Sequence, residues 1–105
     1  MDIFIGNDNL IVVDGLKNVG SGAFINNATV RGTLKTMAGD PVEGQTWPVT
    51  MVYKPESQGV YQGVLEDDLP LTNGTSYIVE VTADAGSDQI AKWEIVVKAR
   101  NRRIP

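Results

Sequence analysis

The 105-residue chain contains no cysteine and no histidine. Without cysteine there are no disulfide staples and no thiolate metal sites, so the core must be held by packing alone. Without histidine the commonest general base and the commonest metal ligand are gone, and with them histidine triads and histidine zinc sites. No stretch approaches the ~20 apolar residues that span a bilayer as a helix. The first residues, MDIFIGNDN, carry neither a basic region nor a long apolar run. A secretory signal is therefore not expected, and the reading places the chain in a cytoplasm or in a particle assembled there. A membrane partner is not expected either.

What is present suits one compact domain with a modest core. The hydrophobic share of 42% and the charged share of 21% are ordinary for a globular protein. The net charge of −4 is unevenly spread: four of the nine positive charges, Lys98, Arg100, Arg102 and Arg103, lie in the last eight residues. All thirteen acids precede them, against five positives, so the body is acidic and the tail basic. An acidic body argues against nucleic acid as a partner, because broad phosphate contact depends on lysine and arginine displacing counterions.

Short alternating segments divided by turn residues run through the sequence. NLIVVDG reads as a first strand and GLKNVGSGAFINN as a loop. ATVRGTLKTM alternates, with Val30 and Leu34 facing one way and Arg31, Thr33 and Lys35 the other. Ala38-Gly39-Asp40-Pro41 is a turn, since glycine permits positive φ and proline fixes φ without donating. Trp47, Val49, Met51 and Tyr53 recur at period two, which puts four large side chains on one strand face. GVYQGVL sets Tyr61 and Leu65 on one side with Gly63 between them. SYIVEVTAD points Tyr77, Val79, Val81 and Ala83 inward. IAKWEIVVKA puts Ala91, Trp93, Ile95, Val97 and Ala99 on one face. About seven strands without a helix predict an all-β, immunoglobulin-like antiparallel sandwich, with Trp47 and Trp93 filling its middle. The expected organisation is an N-terminal arm or edge strand over residues 1–8, a sandwich over 9–99 and a basic tail over 100–105.

Catalytic and metal motifs do not assemble from the pattern. The acids at 66–68 and the pair Asp84 and Asp88 do not match a calcium loop and read as solvated turns. Asp40 has no second carboxylate placed beside it for acid–base work. The glycines of NVGSG lack the lysine of a phosphate loop. Asn73-Gly74-Thr75 reads as a hairpin turn. The chain is thus expected to be no enzyme and to need no cofactor or metal.

The ordered set LIVVDGL, SGAFINNATVRGTL, GDPVEGQTWPVTMVY, GVYQGVL and GTSYIVEVTAD resembles small proteins encoded among the virion genes of tailed bacteriophages and prophages. The resemblance covers about residues 9 to 97. It implies an immunoglobulin-like virion component: a capsid decoration or minor head protein bound to the head lattice. The major capsid protein or other virion proteins are then the partners, and a homo-oligomer on the particle is expected. The alternatives are a head–tail connector or tail accessory protein, or a sandwich module that binds host-surface carbohydrate. The segments outside the sandwich pattern are the expected partner contacts: Ile3, Phe4 and Ile5 in the arm, and Lys98, Arg100, Arg102 and Arg103 in the tail.

Overall fold

A computed structural model of the chain describes residues 2–18, 21–86 and 90–101. Seven strands form among them and no helix: β1 (Asp2–Ile5), β2 (Asn9–Val13), β3 (Thr29–Thr36), β4 (Val49–Tyr53), β5 (Tyr61–Leu65), β6 (Ser76–Asp84) and β7 (Ile90–Asn101). Their order in space is β1-β7-β6-β3-β4-β5-β2. The fourth strand belongs to both layers. Val49, Thr50 and Met51 pair with β3, while Val52 and Tyr53 pair with β5. The chain therefore folds over at β4, and the β2–β5 layer faces the layer built on β3, β6 and β7. This is the expected all-β immunoglobulin-like sandwich, with one departure from antiparallel pairing: β1 runs parallel to β7.

The predicted faces of the central strands are the buried ones. Val30 and Leu34 on β3, Tyr61 and Leu65 on β5, and Tyr77, Val79, Val81 and Ala83 on β6 all lie in the core. Gly32 and Gly63 sit where the two layers pack closely. A Cβ on Gly32 would stand 2.9 Å from the Ile11 side chain of the facing layer. One on Gly63 would stand 3.0 Å from Met51. Glycine here admits close approach of the two sheets.

Two tyrosines tie loops to this core. The Tyr61 hydroxyl donates to the Ile25 carbonyl at 2.7 Å and accepts from the Ala28 amide at 3.0 Å. The segment 15–27, predicted as a loop, is thereby tied to the core at Ile25, as is Ala28 just after it. Leu16 and Gly59 bond there too, Leu16 N–H to Gly59 O at 2.9 Å. The Tyr77 hydroxyl accepts from the Thr72 amide at 3.0 Å. A tyrosine near the start of a strand bonding back to the upstream backbone is the tyrosine corner of immunoglobulin-like sandwiches. The Asn73-Gly74 turn is a turn but not a hairpin, because β5 and β6 lie in different layers. Asn73 Oδ1 instead accepts from the Asn101 amide at 3.0 Å, and Gly74 N–H donates to Ala99 O at 2.8 Å.

The tryptophans do not occupy the middle. Both are half-buried and pack on the margin of the core. Trp47 precedes β4, joined to Pro48 by a cis peptide, and its indole N–H donates to the Val42 carbonyl. On β7 only Val97 and Ala99 of the expected inward face are buried. Ala91 and Ile95 are exposed.

Candidate interaction surfaces

The two segments expected to contact partners lie side by side. Asp2, Ile3, Phe4 and Ile5 pair in register with Lys98, Ala99, Arg100 and Asn101. The arm is consequently a strand of the sandwich. Ile3 is fully buried among core residues, which removes it from any contact surface. Ile5 is partly buried against the same core. Phe4 is held on its other side by Asn9, whose side-chain amide accepts from Phe4 N–H at 2.8 Å and donates to Phe4 O at 3.0 Å. Those two bonds imitate a strand neighbour and link the first and last strands of the sheet order, nearly closing a barrel. Arg100 Nε meets Asp2 Oδ2 at 3.1 Å, and both side chains are about half exposed. Lys98 is exposed. Arg102 and Arg103 lie outside the described residues. Arg100 thus belongs to a strand and an ion pair, not to a free tail.

A second surface was not expected. The outer face of the β2-β5-β4 layer carries Leu10, Val12, Val52 and Val64, which are 51%, 47%, 66% and 38% exposed. They gather because the pleat sends alternate side chains outward. Leu10 stands opposite Val64 on β5, and Val12 and Val52 flank Gln62 from either side. The signal was present in the sequence. Leu10-Ile11-Val12-Val13 is a continuous apolar run, so whichever pair faces inward leaves the other pair outside. Large contiguous exposed apolar patches are characteristic of interaction sites in general.

Beside this face lies an open groove of about 560 Å³ between the Gly44–Thr50 approach and the acids Glu66, Asp67 and Asp68. Gln45 ties its two sides, accepting from Glu66 N–H at 2.9 Å and donating to Val64 O at 3.1 Å. No aromatic ring lines the groove, so it lacks the flat face on which a sugar ring stacks. The fold brings Asp8 to Glu66 and Asp67, with carboxylate oxygens within 4.8 Å of one another. All three are exposed. Asp88 of the other acidic pair lies outside the described residues. Asp40 is exposed in its turn, where its N–H donates to Thr36 Oγ1 at 3.3 Å.

The outer face of the other layer is charged. Glu80 on β6 accepts from Lys35 Nζ on β3 at 2.7 Å, with Lys92 Nζ of β7 at 3.6 Å. The hydrogen bond from Lys35 holds the Glu80 carboxyl below the usual range against the cost of its desolvation, and the charges of Lys35 and Lys92 add to the effect. Glu94 sits directly across from Glu80. Neighbouring like charges at such a position are mutually unfavourable. Comparison with protein families, curated proteins and solved structures finds no match for this chain.

Proposed function

We propose that the chain is a non-enzymatic structural protein of a bacteriophage virion, a capsid decoration or minor head protein that docks on the head lattice through the outer face of its β2-β5-β4 layer. The observation that carries the docking is the exposed apolar set Leu10, Val12, Val52 and Val64 on a rigid sheet. A face built on paired strands keeps its shape on binding and loses little side-chain entropy, because three of the four residues are β-branched valines. The resemblance to virion proteins supplies the kind of partner. Multivalent attachment to a symmetric shell then lends avidity to a small contact.

Mass spectrometry of purified particles tests this reading. The chain is expected in many copies per particle, and its absence from particles overturns the virion assignment. Leu10→Lys and Val52→Lys test the face. Both positions already lie in solvent, so the variants are expected to keep the melting temperature and lose particle binding. Undiminished binding moves the contact elsewhere.

A further inference from the structure

The free edge of β7 has a register that makes it complementary to itself. Strand β1 covers β7 only from Lys98 onward. Among the described residues no strand pairs with the outer edge from Ile90 to Val97, although β6 pairs with the inner one throughout. Ala99 shows which way the backbone points. It donates to Thr75 O at 2.9 Å and accepts from Gly74 N–H at 2.8 Å, on the β6 side. Successive residues of a strand direct their amide groups to alternate sides, so Ala91, Trp93, Ile95 and Val97 also bond toward β6. Ile90, Lys92, Glu94 and Val96 then aim their N–H and C=O outward. An exposed edge of this kind is a template for another strand.

We infer that a second copy of the chain pairs with this edge, antiparallel and about a two-fold axis at Trp93, to join two sandwiches through one continuous sheet. In this register Lys92 lies opposite the second copy's Glu94, and Glu94 opposite its Lys92. Ile90 lies opposite Val96, and both are exposed in the single chain, at 73% and 56%. All four outward-directed residues find hydrogen-bonding counterparts. Centring the axis on Lys92 instead sets lysine against lysine, and centring it on Glu94 sets glutamate against glutamate. Centring it on Ile95 runs Lys92 into Lys98, whose outer side β1 already occupies. Of these registers, only the one about Trp93 sets opposite charges against each other. It also gives Glu94, opposed within its own chain by Glu80, a cation from the neighbouring copy. This pairing uses a different layer from the docking face and stands without the virion reading.

Sedimentation of the full chain over a range of concentrations is the test, with charge reversal as the discriminating step. The wild-type chain is expected to dimerise. Lys92→Glu alone places glutamate against glutamate, and Glu94→Lys alone lysine against lysine. Each is expected to weaken the dimer roughly tenfold, since two opposed pairs turn from attraction to repulsion. Mixing the two variants restores both opposite-charge pairs and is expected to return a heterodimer of near wild-type affinity. A readout without variants is hydrogen exchange: the outward amides of Lys92 and Glu94 should gain protection as concentration rises. A chain that stays monomeric at millimolar concentration overturns the inference. So does a dimer unmoved by either reversal, a mixture that fails to recover, or protection of those amides that ignores concentration.

Discussion

Replacing Tyr61 with phenylalanine removes one oxygen and leaves the ring in place. That oxygen serves Ile25 O at 2.7 Å and Ala28 N–H at 3.0 Å. Tyr61 itself is almost fully buried, and its ring packs tilted on Tyr53 with centroids 5.6 Å apart. The packing term is therefore unchanged, and the loss is that of the two hydrogen bonds. Each contributes about 0.5–1.5 kcal/mol net, with a further cost where a partner is left dry. Ile25 and Ala28 are half-buried, so water reaches them in part, and the total falls at about 1–3 kcal/mol. Urea unfolding followed by tryptophan fluorescence measures this, with the midpoint falling and the slope unchanged. The Ala28 amide should also lose hydrogen-exchange protection, because Tyr61 is its acceptor. A loss below ~0.5 kcal/mol with Ala28 still protected would refute the idea that this hydroxyl ties Ile25 and Ala28 to the core.

Gly59→Ala should destabilise by at least ~2 kcal/mol in the same assay, since φ there is +68° and the new Cβ would stand 2.5 Å from Leu16 O. Tyr77→Phe should cost roughly 1 kcal/mol and expose the Thr72 amide to exchange. The lowered Glu80 carboxyl contributes stability that is present above its unfolded pKa and is lost as pH falls through the folded one. Glu80→Gln should accordingly lower the midpoint at neutral pH and flatten the acid limb of a stability–pH profile, and an unchanged limb would remove Glu80 from the account. Deleting residues 100–105 should lower stability, because Phe4 and Ile5 lose their partners on β7 and Asp2 loses Arg100. Binding lost on that deletion reports the melting of β1, so the tail charges are better tested by Arg102→Ser and Arg103→Ser in the full chain.

Local pattern was enough to read the central strands. On β3, β5 and β6 the residues at period two are the buried ones, because the pleat alone sends alternate side chains to opposite faces. The turns at Gly39 and Gly74 were legible for a similar reason: both hold positive φ, which glycine adopts at no steric cost. Tertiary structure decided which faces are covered. Alternation shows that Ala91, Trp93 and Ile95 share a face, but not that Trp93 reaches the core margin while Ala91 and Ile95 stay exposed. Nor does it show that Leu10, Val12, Val52 and Val64 converge from three strands. Pairing between distant segments escaped the sequence altogether. Nothing local to Ile3 announces that it will lie beside Ala99 and vanish into the core, and nothing local to Asp8 places it with Glu66 and Asp67. The sequence determines which side chains point together along each strand; only the folded sheets, by which edges they pair and which they leave open, determine what those side chains meet.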